Sequence, residues 1–124
     1  MTEEFQNKIL IYSSNFEDFY CKQTKEVQKN IDETVGLVQE LKLVPKKIFK
    51  KLENSANLYL ILVKTGTKII EIFCFLDGKE IIILQMGFRS RLKKERDDEI
   101  EKANKLRKEY YFEKKKGKRT NAFR

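Results

Sequence analysis

The sequence predicts an α+β domain, and three observations carry that reading. Apolar residues recur at helical spacing from Phe16 through Leu41; three runs of β-branched and aromatic residues follow, joined by Thr-Gly and Asp-Gly dipeptides; a second helical period starts near Glu95. The expected order is an N-terminal strand, a helix or helix pair, a three-stranded antiparallel meander and a C-terminal helix. At 124 residues the chain is sized for one domain. That domain is assigned to residues 1–115, and the basic segment 116–124 is expected to be a mobile tail.

Each element has a local cause. KILIYSS, residues 8–14, is short, apolar and β-branched or aromatic, and reads as the first strand. Ser14 or Asn15 is placed to cap a helix, with Glu17 and Asp18 in a first turn where carboxylates oppose the helix dipole. The series Phe16, Phe19, Tyr20, Val27, Ile31, Val35, Val38 and Leu41 suits one long helix, or a pair broken between Cys21 and Thr24. Pro45 disfavours helical geometry in Val44 and closes this region. KKIFKKLENSANL then reads as a polar crossing to the sheet.

The meander consists of LYLILVK (58–64), TKIIEIFCFLD (67–77) and KEIIILQMGF (79–88). Gly66 and Gly78 supply the positive φ that the two tight turns require. Because these strands are apolar at nearly every position, both sheet faces are expected to be covered. The N-terminal helices cover one; the last helix, with Ile100, Ala103, Leu106 and Tyr110 along one side, or a partner chain covers part of the other.

Charge is distributed unevenly. The formal net charge is +8, but residues 1–44 hold five basic against eight acidic residues (net −3), whereas residues 45–124 hold 22 against 11 (net +11). Such a field draws phosphate-rich or acidic partners to the C-terminal part. Four of the six residues at 89–94 are Lys or Arg, hung directly off the last strand.

The absence of histidine excludes zinc hydrolases of the usual kind, Ser-His-Asp triads and two-histidine RNA cleavage. No P-loop or G-x-G-x-x-G occurs. Cys21 and Cys74 lie far apart and are expected to be small buried hydrophobes in a reducing cytosol. Neither a metal site nor a cofactor is indicated. No apolar run has membrane-span length, and MTEEFQNKIL is acidic where a signal peptide is basic, so a cytoplasmic location without membrane association is expected.

FKKLENSANLYLILVK, IFCFLDGKEIIILQMGF and EIEKANKLRKEYY, taken in order, resemble the RelE/HigB superfamily of type II toxins in its phage-derived HigB-like branch. That branch carries a lysine-rich F-K-K-L-E segment, an L-Y-E-x-R strand, a hairpin ending in F-F-D, a G-F-x-K-K-T-x-K-T-P stretch and an E-I-E-x-A helix ending in Tyr. The likeness covers residues 48–113 and runs without a gap from Leu58. It implies a RelE-like fold and a toxin held inactive by a helix-turn-helix antitoxin. It also implies metal-free cleavage of messenger RNA on the ribosome and, through the antitoxin complex, repression at operator DNA. A non-catalytic copy that binds antitoxin and operator, or a ParE-like gyrase inhibitor on the related fold, are the alternatives.

Metal-free RNA cleavage requires a base for the 2′-OH, cations for the phosphate and an acid for the departing oxygen. Without histidine these roles fall to Lys, Arg, Tyr and carboxylates. Carried over by position, the family's lysines fall on Arg91 and Lys94. Its strand arginines fall on Leu62 and Glu71, the glutamate of L-Y-E-x-R on Leu60, and the helix-opening threonine and proline on Glu95 and Arg96. The catalytic candidates are therefore Arg89, Arg91, Lys93, Lys94 and Tyr110. Lys50, Lys51, Lys64, Lys68 and Tyr111 are RNA-binding candidates, and Glu71 is expected to be buried against a nearby lysine.

Overall fold

The computed structural model describes residues 9–41, 43–53, 57–89 and 91–115. The tail at 116–124, for which mobility is expected, lies outside the described residues. The elements run β1 (Ile9–Tyr12), α1 (Ser14–Cys21), α2 (Lys25–Glu40), β2 (Phe49–Lys51), β3 (Tyr59–Thr65), β4 (Lys68–Asp77), β5 (Glu80–Phe88) and α3 (Lys93–Lys115). The class is α+β, but the sheet is five-stranded and mixed rather than a three-stranded meander. Its order is β1-β5-β4-β3-β2, with β1 parallel to β5 and the other pairs antiparallel.

The added edge strand comes from the segment expected to be a polar crossing. Phe49 is buried and stacks on Tyr59 at 5.1 Å, and half-buried Ile48 and Leu52 on either side of Phe49–Lys51 pack against the two cores, which together hold this strand against β3. Backbone bonds from Leu62 to Ile48 and from Leu52 to Leu58 extend the ladder at both ends.

The N-terminal helical region is a pair. Thr24 accepts a hydrogen bond from the Val27 amide at 3.3 Å and so caps a new helix, while Lys22 closes the preceding one on Phe19. The first cap is Ser13, one residue before the expected positions. Its hydroxyl accepts from the Phe16 amide at 3.2 Å and donates to the Leu84 carbonyl, joining the start of α1 to β5. Ser13→Ala is expected to lower stability by about 1–2 kcal/mol in denaturant unfolding, the range for a lost N-cap. The tight turns behave as expected, with Gly66 at φ 65° and Gly78 at φ 64°.

Two cores sandwich the sheet. On one face α1 and α2 pack Phe16, Ile31, Val35 and Val38 against Ile61, Val63, Ile70, Ile72, Cys74 and Ile83. On the other, Ala103, Leu106 and Tyr110 of α3 pack against Leu60, Phe73, Phe75, Ile82 and Leu84. Burial pushes the Cys74 thiol far up, so it is an inert core group. Cys21, expected to be buried as well, is exposed at the last residue of α1. None of the helices among the described residues is long and apolar enough to cross a membrane.

A β-bulge decides what each face of β5 carries. Cys74 pairs with Ile83 but Phe73 pairs with Gln85, leaving Leu84 as an extra residue in β5. Before the bulge, Ile81 and Ile83 face α1 and α2; after it, Gln85 is on the α3 side, where its amide donates to the Glu99 carbonyl and carboxylate at 3.0 and 2.8 Å. Gly87 and Arg89 follow on that same side, opposite Glu71 and Ile69.

Candidate nucleic-acid interface

Glu71 occupies the centre of β4, in a row running Leu62, Glu71, Gly87 across three strands. It is only 5% exposed, a depth at which an unanswered carboxylate is strongly unfavourable. Two guanidinium groups answer it. Arg89 Nε donates to Oε2 at 3.0 Å, and Arg96 Nη1 donates to both carboxylate oxygens at 2.7 and 2.8 Å. Arg89 directly follows β5, its amide closing on the Ile69 carbonyl at 2.7 Å, while Arg96 comes from the first turn of α3. One carboxylate therefore joins the end of the sheet to the start of the last helix.

The trio has a net charge of +1. Both arginine side chains remain about one-third exposed, at 36% and 32%. A guanidinium has five N–H donors, so each keeps donors for an outside acceptor after serving Glu71. Held in fixed orientation, such groups suit a phosphate oxygen, to which they can bond bidentately. The floor beside them is open, since a Cβ built on Gly87 meets nothing within 4 Å.

Strand register sorts the predicted cations. Lys64 pairs with Ile69, in the same row as Arg89, and Lys50 pairs with Leu60, so both exposed lysines lie on the α3 side with Glu71. Lys64 and Arg89 are two strands apart, about 10 Å along the row. Lys51 pairs with Tyr59 and faces the other way, and Lys68 sits over the Phe88 ring at 5.1 Å, beside α1. Side-chain alternation thus puts Lys51 and Lys68 on the sheet face opposite to Lys50, Lys64 and Glu71. Arg91 and Lys94 are exposed and form no ion pair among the described residues; Lys93 pairs with Asp97 at 2.9 Å on an open surface, a weak restraint.

The tyrosines are elsewhere. Tyr110 is 1% exposed, packs edge-on against Phe75 at 5.2 Å and donates its hydroxyl to Asp77 Oδ2 at 2.8 Å. The hydroxyl of this catalytic candidate is thus buried and bonded to Asp77, which Lys114 also contacts. Tyr111 is 39% exposed; burial raises its hydroxyl pKa, Asp77 adds to the rise, and Arg107 and Lys114 oppose it. Asp77 is six residues along β4 from Glu71, about 20 Å away, so neither tyrosine reaches the arginine pair. Tyr110→Phe is expected to lose about 1–2 kcal/mol of unfolding free energy and to leave nucleic-acid binding unchanged in a filter-binding assay.

The cluster provides charge stabilisation without a proton shuttle. Its carboxylate is engaged by both arginines, and a guanidinium offers only N–H donors. Sequence reasoning missed Arg96 and assigned Glu71 a lysine partner. The missing signal was the bulge, which brings Arg89 to the α3 side, and the linker, which sets where α3 begins.

What fold and site define together is an α+β domain with a cationic patch at the open end of one sheet face. No protein-family model, curated protein or solved structure matches the chain.

Proposed function

We propose that the protein is a toxin of the RelE/HigB type that engages messenger RNA on the ribosome through the basic end of its sheet. The observation that carries this is the pair Arg89 and Arg96, fixed by Glu71 on an open face that Lys64 shares. Exposed Arg91 and Lys94 follow in the linker and first turn of α3. The resemblance over residues 48–113 supplies the nature of the polyanion. Glu71 stands where that family carries arginine, yet two arginines overcompensate its charge and the surface remains attractive to phosphate. A helix-turn-helix antitoxin, and operator DNA reached through it, are the partners that belong to such a toxin.

Induction without antitoxin is expected to arrest growth, with primer extension showing cuts inside translated messages. Unimpaired growth with intact messages would sink the proposal.

A second reading, binding without cleavage, is favoured by the absence of either tyrosine from the arginine cluster. Its signature is protein that co-sediments with ribosomes and pulls down its antitoxin while leaving ribosome-bound message uncut.

A further inference from the structure

On the opposite side of the sheet, β1, α1 and α2 enclose an open cavity of about 650 Å³, within the size range of small-molecule sites. Its walls are aromatic. Tyr12 stacks on Phe16 with ring centroids 4.7 Å apart, and Phe16 on Tyr20 at 6.0 Å, forming a three-ring ladder from the sheet to α1. Around these rings stand Glu17, Asp18 and Asp32, and among the described residues no lysine or arginine lines the cavity, although the chain as a whole carries +8. Asp32 is held in place from across the mouth, its Oδ2 accepting the Tyr20 hydroxyl proton at 2.9 Å.

The local field is negative enough to act on the walls themselves. Burial raises the Tyr12 hydroxyl pKa first, and the charges of Asp32 and Glu17 raise it further. A recess lined by one sign of charge and low-dielectric walls concentrates that potential. Among the described residues no group of three Cys, Asp or Glu side chains converges closely enough to hold a metal ion. The carboxylates therefore surround a volume rather than a point, which fits an extended cation better than an inorganic one.

We propose that this cavity is a binding site for a small organic ammonium ion, a protonated amine carried on an apolar body. The ammonium group pairs with Asp32 and Glu17 or Asp18, and the apolar body lies against the rings, which attract cations through their electron-rich faces as well as by burial. The site is independent of the RNA-facing surface, because α1 and α2 cover the sheet face opposite to Glu71.

The test is amide chemical-shift titration of the full chain with benzylamine at neutral pH, beside benzyl alcohol, a neutral compound of nearly the same shape. Saturable shifts are expected around Tyr12, Tyr20 and Asp32, with benzyl alcohol binding at least tenfold more weakly. Asp18→Asn, at an exposed position, and Asp32→Asn should each weaken benzylamine by several-fold and together abolish the preference over the alcohol. The Asp18 variant keeps the test valid should loss of the Tyr20 contact disturb α1. Equal binding of amine and alcohol, or shifts located elsewhere, would overturn the proposal. So would response only to a basic amphipathic peptide, which would make the cavity a protein-docking groove.

Discussion

Replacing Arg89 and Arg96 together by alanine is expected to destabilise the fold by about 3 kcal/mol, the low end of the range for stripping a buried ion of its partners. The lower end applies because both arginines are about one-third exposed, so water reaches part of the space they leave. Glu71 remains in the sheet centre with Leu62 and Gly87 on either side and no donor. Either single substitution leaves one guanidinium in place and should cost markedly less, a non-additivity that a double-mutant cycle reads directly. Adding Glu71→Met to the double variant is expected to restore most of the lost stability, since an apolar side chain of similar length needs no partner there. Urea unfolding of the parent and the four variants decides the matter; an unrecovered triple variant would mean that the arginines act by packing rather than by answering Glu71.

The second large effect concerns the surface rather than the core. Lys64→Ala, Arg91→Ala and Lys94→Ala combined are expected to weaken binding to single-stranded RNA at least tenfold at low salt. They should also reduce the slope of log K against log salt by about 2, at roughly 0.7 per phosphate contact. All three side chains are exposed, so stability should stay within about 0.5 kcal/mol of the parent. The control is Lys51→Ala with Lys68→Ala, two cations turned to the other sheet face. If that pair weakened binding as much per charge removed as the first set, the interaction would follow total charge and not the face.

Much of the fold was legible because periodicity and turn chemistry act locally. The α2 stripe Ile31, Val35 and Val38, the turns at Gly66 and Gly78, and the α3 stripe Ala103, Leu106 and Tyr110 all lie where their spacing places them. Strand β2 was not legible, because Ile48 and Phe49 set between two lysine pairs give no alternation to read. The candidate site was half legible for the same kind of reason. Charge density marked residues 89–94, but which cations share a face depends on pairing between strands, and Arg89 meets Glu71 only because β5 carries one residue too many. Arg96 was passed over because nothing local distinguishes it from the other charges that open α3; its role is set by a contact 25 residues away.

That extra residue, Leu84, also governs how the protein can change over time. Most substitutions in β5 alter one side chain and leave its neighbours facing as before. Removing Leu84 itself would leave Ile83 and Gln85 adjacent on the partners they already have, Cys74 and Phe73, and would keep everything beyond facing as before; removing a residue between Met86 and Phe88 with the bulge kept would instead turn Arg89 toward the layer beneath α1. The stretch from Gln85 to Arg89 is thus intolerant of length variation even where it is open to variation in composition, whereas the bulge residue before it can be lost with the register intact. A lineage could exchange the cations of this surface one at a time, but could shorten the strand that presents them only at the bulge without losing the surface whole.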